Sequence, residues 1–448
     1  MRILQVVHGF PPKQRAGTEM YTYYLSKELA KKHEVHVFYP TRDKGKKSIT
    51  IHSFEREKLH LHELVIPNDF IWKIKRFWDL LLIKNTYINK SVEGIFRTLL
   101  RRIKPDIIHF EHLIGLSTTL INIAKEEFNI PIVLTLHDYW FMCPNIQLIT
   151  YEHIICKEPD PSKCRECWVK NRAKDISKAL GVYYIPKSLT ERPLEIVLKI
   201  FNHPEKFEKR NKYLKSLLLK ADKIISPSKF LRETFIRYGI SEDKIIYSEN
   251  GYNLEVFKGF KKKKNSTNKI IFGFAGNVIP IKGVHVLVDA FLKVPEEKAE
   301  LRIYGYYNPK SEYVKKILTK AKRKKNIKFM GRFEDIKEPY SGIDVLIFPS
   351  IWYENCPLVL AEARATKTPV IASNLGAIPE FVKHGKTGLL FEPNNPEDLY
   401  EKIMQIIQNP KLIEKFKANI KLPRSIEEQA KEIEEIYKSL MRCYHENR

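Results

Sequence analysis

Short apolar runs alternate with segments of helical spacing along most of the chain, and these runs form two series. The first includes "HEVHVF", "PDIIHF", "IPIVLTLHD" and "ADKIISPS"; the second includes "KIIFGFAGN", "AELRIYG", "NIKFMG", "DVLIFPS", "TPVIAS" and "TGLLFE". Strands that alternate with helices favour parallel sheets. The pattern predicts an α/β protein with two Rossmann-like, doubly wound domains facing each other across a cleft, because such sheets bind ligands at the carboxyl ends of their strands.

The basic, polar segment "KGFKKKKNSTNK" separates the two series and marks the predicted domain boundary. We place the first domain at residues 1–257, the linker at 258–269 and the second domain at 270–424. Residues 425–448 are predicted to form a C-terminal helix, because apolar residues recur there at helical spacing. These residues are Ile426, Ile433, Ile436 and Tyr437.

The formal charge of +25 over 448 residues indicates an anionic partner: nucleic acid, a phospholipid surface or a phosphorylated substrate. We expect no nucleic-acid partner, because the chain lacks the motifs and aromatic signature of nucleic-acid-binding modules. The first residues lack the features of a secretory signal, and no window approaches the ~20 apolar residues of a membrane span. We therefore expect a cytoplasmic protein, either soluble or peripherally bound at the inner face of the cell membrane.

The stretch "YENCPLVLAEARA" places two glutamates around a predicted helix start. Pro357 suits the first helical position, so Glu354 would lie just before the helix and Glu362 inside it. The amide groups of Leu358 and Val359, with the positive end of the helix dipole, would bind an anion. A ligand with both phosphate and hydroxyl groups would suit this arrangement. The alternative is that Glu354 only caps the helix and Glu362 is solvated.

A lysine follows the first predicted strand of the second half. In "FGFAGNVIPIKG" the strand ends at Gly276, and Lys282 follows in a loop closed by Gly283. A lysine is a point charge suited to a phosphate, although a solvated turn lysine is the alternative. No full dinucleotide fingerprint or Walker loop accompanies it.

Together these motifs resemble the retaining family 4 glycosyltransferases (glycosyl transferases group 1), two-domain enzymes of the GT-B fold. The resemblance is strong in the second half, on "FGFAGNVIPIKGVHVLVDAF", "LRIYG", "IKFMGRF", "DVLIFPSIWYENCPLVLAEARATKTPVIASNLGAIPEFV" and "GKTGLLFEP". It is weaker in the first half, on "FPPKQRAGTEMYTYYLSKELAKKHEVHVF", "LTLHDYW", "ISPSKF" and "NGYNLEVF". It also implies that the C-terminal helix packs back on the first domain.

The resemblance implies roles for individual residues. Glu362 would hold the ribose hydroxyls of a sugar nucleotide, Glu354 would bind hydroxyls of the transferred sugar, and the helix-start amides would meet the diphosphate. The implied catalytic residues are His137, Lys282 and Glu354. The implied donor-binding residues are Gly17, Asn277, Lys282, Glu354, Asn355, Cys356, Pro357, Leu358, Val359 and Glu362.

The chain departs from the family at Asn277, where many members carry an arginine that joins the lysine on the phosphates. Lys282 would then act with the helix dipole and with Arg332 or Lys386. Residues of the first half keep open alternatives from the sequence alone. Gly17, in the loop before a helix starting near Met20, could be an ordinary turn glycine, His137 could be a structural histidine, and Ser228 could be a helix N-cap.

In the reaction implied by the resemblance, the leaving phosphate oxygen takes the acceptor's proton, so no dedicated base is needed. No DxD-type metal pair stands out, and we expect catalysis that requires no metal or other cofactor, with a nucleoside diphosphate sugar as donor. The first half also carries a cysteine cluster in which only the last pair has CxxC spacing. It would form a structural zinc site, free or redox-active thiols, or a disulfide: Cys143, Cys156, Cys164 and Cys167.

The segment "FIWKIKRFWDLLLIKNTYINK" has an apolar stripe at helical spacing, with most of its basic residues off that stripe. Such a helix either packs on the domain core or dips into an anionic lipid leaflet, which would bring the enzyme to a lipid-linked acceptor. The stripe consists of Phe70, Ile71, Ile74, Phe77, Trp78, Leu81 and Leu82.

We therefore expect a retaining enzyme that moves a hexose from a nucleoside diphosphate sugar to a glycan or lipid-linked acceptor, in cell-surface polysaccharide or glycoconjugate synthesis. One alternative is a nucleotide-sugar epimerase or hydrolase on the same fold. Another is a sugar-nucleotide-binding protein without turnover.

Overall fold

The computed structural model describes residues 1–68, 81–179, 187–263 and 268–446. The chain divides into two compact units: Met1–Gly251 with Ile426–Arg448, and Tyr252–Ser425. Residues 69–80, which contain most of the apolar stripe, and residues 264–267 of the predicted linker lie outside the described residues. Among the helices that are described, none is both long enough and apolar enough to cross a lipid bilayer.

Within its described residues, the first unit holds an eight-stranded sheet in the order β3-β4-β2-β1-β5-β6-β7-β8. All neighbouring strands are parallel except β3 and β4, which form an antiparallel hairpin. The strands are β1 Arg2–Val6, β2 Glu34–Asp43, β3 Thr50–Arg56, β4 Leu59–Pro67, β5 Ile107–Phe110, β6 Ile132–Thr135, β7 Lys223–Ser226 and β8 Ile245–Tyr247.

The first unit also contains a set of helices, some of which pack on this sheet. They are α1 Gly17–Leu29, α2 Lys90–Ile103, α3 Thr119–Asn122, α4 Pro161–Ala179, α5 Lys187–Phe201, α6 Pro204–Lys220, α7 Lys229–Arg237 and the terminal α15 Ile426–Glu446, with short 3₁₀ and π turns at Ile83–Thr86 and Ile123–Glu127. The apolar face of α15 belongs to the core of this unit, where it packs with residues of α1, β1 and β2.

The second unit holds a parallel sheet of six strands among the residues described, in the order β11-β10-β9-β12-β13-β14. They are β9 Ile270–Ala275, β10 Ala299–Tyr304, β11 Ile327–Gly331, β12 Val345–Phe348, β13 Val370–Ser373 and β14 Gly388–Phe391. The helices are α8 Val284–Phe291, α9 Glu312–Ala321, α10 Glu338–Ser341, α11 Leu358–Ala365, α12 Ile378–Phe381, α13 Pro396–Gln408 and α14 Lys411–Asn419, with 3₁₀ turns at Leu254–Phe257 and Pro280–Lys282.

The predicted α/β class is confirmed for both units. Most of the apolar runs of the sequence are strands buried on both faces, as in β12 and β13, where every residue is buried. In a parallel sheet the carboxyl ends of all strands lie along one edge. The polar side chains of the loops that follow the strands therefore lie close together.

Candidate functional site

The centre of the second unit's candidate site is the carboxylate of Glu354, a residue that is only 5% exposed. One oxygen, Oε1, accepts hydrogen bonds from Lys282 Nζ at 2.6 Å, Ser350 Oγ at 2.9 Å and Trp352 Nε1 at 2.8 Å. None of the described residues donates to the other oxygen, Oε2. The structure thus brings Lys282 and Glu354 together as an ion pair with one carboxylate oxygen left for a further donor.

Two loops at the carboxyl edge of the sheet hold this pair. Lys282 closes a 3₁₀ turn after β9, and Glu354 lies in the loop after β12. The loops are pinned together because Ile351 N donates to the Ile281 carbonyl at 2.9 Å. The ammonium of Lys282 also lies 5.5 Å from the centre of the Trp352 ring, which favours a cation. Lys282 is therefore held by its contacts with Glu354 and Trp352 and is not a solvated turn lysine.

The start of α11 follows Glu354, with one correction to the sequence prediction. Pro357 is the N-cap, with φ −71° and ψ 123°, and the helix begins at Leu358. The pyrrolidine ring fixes φ but not ψ, so the same preference serves either position. The amides of Leu358 and Val359 belong to the first turn, which has no intrahelical acceptor for them. Glu354 contacts Lys282, Ser350 and Trp352 without capping this helix.

Next to this start lie the remaining donor-binding candidates of the same loop. Asn355 is 5% exposed, and Cys356 is half-buried with its Sγ 3.1 Å from the hydroxyl of Tyr252. The loop between Glu354 and the helix is thus packed in place.

Glu362 lies on α11 and is partly buried. Its Oε2 accepts a hydrogen bond of 2.6 Å from the hydroxyl of Tyr340, a fully buried residue. Burial raises the pKa of Glu362 to about 7, although the hydrogen bond from Tyr340 acts in the opposite direction. Glu362 is therefore a partly buried, hydrogen-bonded side chain whose pKa lies near neutral pH.

This shift predicts that the second unit loses stability as the pH rises from about 4.5 through about 7. In that range Glu362 is protonated in the folded unit but ionised in the unfolded chain. Its contribution to the free energy of unfolding is therefore fully present below pH 4.5 and is lost as the pH rises through about 7, its pKa in the folded unit. Urea unfolding at several pH values should show this slope in the parent. Glu362→Gln should flatten the slope, whereas the exposed Glu401→Gln should keep it. An unchanged slope in Glu362→Gln would contradict the prediction.

The carboxyl ends of β9, β10 and β11 carry further polar groups. Asn277 is exposed just after β9. The next residue, Val278, donates its N–H to the Tyr306 carbonyl at 2.9 Å, and the guanidinium of Arg332 lies 4.2 Å from the centre of the Tyr306 ring. Arg332, which follows β11, therefore packs against the loop that is hydrogen-bonded beside Asn277. Lys386 does not, because it precedes β14 and so lies at the opposite, amino-terminal edge of the sheet.

In the first unit, His137 follows β6 and is nearly buried. Its Nε2 lies 2.8 Å from Oε2 of Glu111, and its ring centre lies 5.2 Å from that of Tyr21. Gly17 is the exposed first residue of α1, so the helix begins earlier than predicted and Gly17 is not in the loop. The fully buried Ser228 is the N-cap of α7, where its hydroxyl accepts from Leu231 N at 3.2 Å.

Other histidine–carboxylate pairs, not identified from the sequence, lie at the same sheet edge as His137. His112 lies 2.9 Å from Asp138, His8 lies 3.2 Å from Glu19, and the rings of His8 and His112 are 4.6 Å apart. Each histidine comes shortly after a strand, in "VVH", "FEH" and "LHD". A search for titratable residues just beyond each apolar run would have found them.

The four clustered cysteines are free thiols, so no disulfide forms among them. Burial raises the pKa of Cys143 to about 11 and that of Cys164 to about 12, and the thiolate is the form that binds metals. Cys167 accepts a hydrogen bond from Asn145 Nδ2 at 2.9 Å. Across the described residues, no group of three or more histidine, cysteine, aspartate or glutamate side chains is arranged to hold a metal ion. Zinc binding by these cysteines stays a prediction that no described arrangement confirms.

Two family models match the chain: Glycosyltransferase Family 4 over residues 15–160 and Glycosyl transferases group 1 over residues 256–422. An uncharacterized glycosyltransferase of Methanocaldococcus jannaschii is 28% identical over 215 residues, 45% of this chain and 54% of the relative. The lipopolysaccharide 1,2-N-acetylglucosaminetransferase of Salmonella typhimurium is 28% identical over 237 residues, 48% of this chain and 62% of the relative. The chain thus spans between half and two thirds of the length of these curated relatives.

Solved structures share the fold over the whole chain. The crystal structure of Anabaena HepE in complex with UDP and glucose superposes with a TM-score of 0.61 and covers 98% of this chain and 99% of that one. The sequence identity is 16%, so this likeness concerns the fold alone.

Proposed function

Because the chain belongs to glycosyltransferase family 4, we propose that it transfers a hexose from a nucleoside diphosphate sugar to a glycan or lipid-linked acceptor, with retention of configuration. The observation that carries the proposal is the Lys282–Glu354 pair beside the start of α11. A cation, a helix start and a carboxylate with one oxygen available match a ligand that has both a diphosphate and sugar hydroxyls. A relative with a named transferase activity, the N-acetylglucosaminetransferase of Salmonella typhimurium, supports the same class of reaction.

The candidate residues of the second unit have different parts in the proposed donor site. Lys282 and the amides of Leu358 and Val359 bind the diphosphate. Glu354 accepts a hydrogen bond from a sugar hydroxyl through Oε2, while Oε1 keeps its three protein donors. Ionised Glu362 accepts hydrogen bonds from the ribose hydroxyls, as the family resemblance implies.

The proposed reaction exchanges one bond at the anomeric carbon. The bond from this carbon to the diphosphate oxygen breaks, and the acceptor oxygen bonds to the carbon on the same face. The proton of the acceptor hydroxyl passes to the departing phosphate oxygen, so no protein base is needed. Lys282 and the helix start stabilise the charge that develops on the diphosphate, and preorganised groups of this kind supply much of the rate enhancement in such sites. By the resemblance, His137 contacts the reacting sugar.

A second candidate is a binding protein that holds sugar nucleotides without transfer. It is favoured by Asn277, because asparagine can hydrogen-bond a phosphate but cannot neutralise its charge. Binding of a sugar nucleotide without transfer to any glycan or lipid-linked acceptor would support this candidate over the enzyme.

The proposal predicts that one family of nucleotide sugars stabilises the protein against heat. Ligands that bind only the folded state raise its stability, by about 2.7 kcal/mol at a concentration 100 times the Kd. We would screen UDP, GDP and ADP sugars and the free diphosphates by thermal shift, at pH 8 so that Glu362 is ionised. Glu362→Ala should lose the shift, while Glu401→Ala on the exposed face of α13 should retain it. No shift from any nucleotide would contradict the donor site.

A further inference from the structure

A buried polar network lies beneath His137 in the first unit. The carboxylate of Glu111, which follows β5, has no exposed surface, and its Oε2 accepts the hydrogen bond of 2.8 Å from His137 Nε2. A carboxylate oxygen accepts hydrogen bonds, so Nε2 of His137 carries the proton in this contact.

The protonation of His109 follows from its own hydrogen bonds. Burial lowers the pKa of His109, so its ring is neutral and carries one N–H. Gln5 Nε2 donates to the Tyr437 oxygen at 3.2 Å, and the Tyr437 hydroxyl lies 2.6 Å from His109 Nδ1. With one donor already on its oxygen, Tyr437 donates to Nδ1, and His109 donates from Nε2 to Thr135 Oγ1 at 2.7 Å.

In this tautomer His109 cannot donate to Glu111, so the carboxylate of Glu111 interacts with His137. Nδ1 of His109 lies 3.6 Å from Glu111 Oε1, but it carries no proton to donate. Glu111 Oε1 is correspondingly buried without a hydrogen-bond donor among the described residues. A buried carboxylate with only one donor holds that donor strongly, because unsatisfied acceptors are costly in a medium of low dielectric constant.

We infer that Glu111 is a positioning residue for His137, and that Tyr437 on the terminal helix keeps Glu111 available for it by setting the tautomer of His109. The inference rests on the proposed function, in which His137 contacts the reacting sugar. Through Tyr437, helix α15 then contributes to the orientation of His137. An orienting carboxylate that fixes the ring and tautomer of a histidine acts in the same way on metal ligands and catalytic bases.

Tyr437→Phe tests the inference with little change in packing. Without the hydroxyl, His109 can move its proton to Nδ1 and donate to Glu111 Oε1, which then competes with His137. We expect kcat to fall about tenfold with the donor KM unchanged, and Glu111→Gln to lower kcat by about 10–100-fold. Tyr444→Phe is the matched control, because it removes another hydroxyl of α15, one that contacts Lys125 and Asp222 and does not contact this network.

A second measurement needs no turnover. The ¹⁵N chemical shifts of labelled histidine report the tautomer of each ring. The shifts of His137 also depend on the groups around it, which are Glu111, His109, Asp138 and the Tyr21 ring. We expect His109 to carry its proton on Nε2 in the parent and in Tyr444→Phe, and on Nδ1 in Tyr437→Phe.

The two measurements separate the inference from the function on which it rests. A His109 tautomer that is the same in Tyr437→Phe and the parent would overturn the inference, and so would a kcat equal to that of Tyr444→Phe. A parent protein that transfers no sugar would overturn the proposed function, while the tautomers would still show whether the network acts as inferred.

Discussion

Replacing Glu354 with glutamine should lower kcat for glycosyl transfer by about 100-fold, the scale seen when one preorganised charged or hydrogen-bonding group is removed from a reaction centre. Glutamine has nearly the same size, so Ser350 and Trp352 can still donate to its carbonyl oxygen. The charge that holds the Lys282 ammonium at 2.6 Å is lost. So is the carboxylate oxygen proposed to bind a sugar hydroxyl. The KM for the donor should change less than kcat, because the amides at the start of α11 still bind the diphosphate.

A surface ion pair of the same unit provides the control. Glu414 lies 2.6 Å from Lys417, and its side chain is 74% exposed, so Glu414→Gln removes a pair of similar length in water. Exposed pairs contribute only about 0–1 kcal/mol, and we expect this variant to keep the parent's rate. Steady-state kinetics with the donor found by thermal shift would decide. Equal kcat for Glu354→Gln and Glu414→Gln would remove Glu354 from the proposed mechanism.

The central parallel strands of the two sheets could be predicted from the sequence because they are buried on both faces. Runs such as "DVLIFPS" and "TPVIAS" are apolar throughout and bounded by polar or turn residues, and they are β12 and β13. The hairpin of β3 and β4 was missed. Its two turn residues, Glu57 and Lys58, have φ of 53° and 65°, a conformation that usually requires asparagine or glycine. The surrounding structure imposes this turn, and the residue types give no sign of it.

The same distinction applies to the candidate site, where some features could be predicted from the sequence and others could not. The motif around α11 is contiguous, so the positions of Glu354 and Glu362 relative to the helix could be read from their spacing. The hydrogen bond from Tyr340 to Glu362, and the pKa that results from burial, depend on residues 22 positions apart. The histidine and carboxylate pairs of the first unit are also formed between different strand ends. Strand order sets such contacts, and no local pattern predicts strand order.

Gly283→Ala should cost more stability than any surface change in the second unit and should also abolish transfer. Gly283 has φ 67°, and a β-carbon added there would lie 1.8 Å from the carbonyl oxygen of Pro349. The left-handed conformation costs a non-glycine residue about 1–2 kcal/mol. The clash adds to this cost, because backbone atoms at that distance must move apart. The loop of Lys282 and the loop of Glu354 would separate, and the 2.6 Å contact between these side chains would be lost.

Gly385→Ala separates the two causes. Gly385 has φ 70°, and a β-carbon there would meet no atom within 4 Å, so this variant bears the conformational cost without the clash. Calorimetry should show a destabilisation of about 1–2 kcal/mol for Gly385→Ala, with binding of the sugar nucleotide retained. For Gly283→Ala it should be several kcal/mol, with binding lost. Equal destabilisation of the two variants would mean that backbone conformation accounts for the whole effect. The contact of Gly283 with Pro349 would then have no part in holding Lys282 against Glu354.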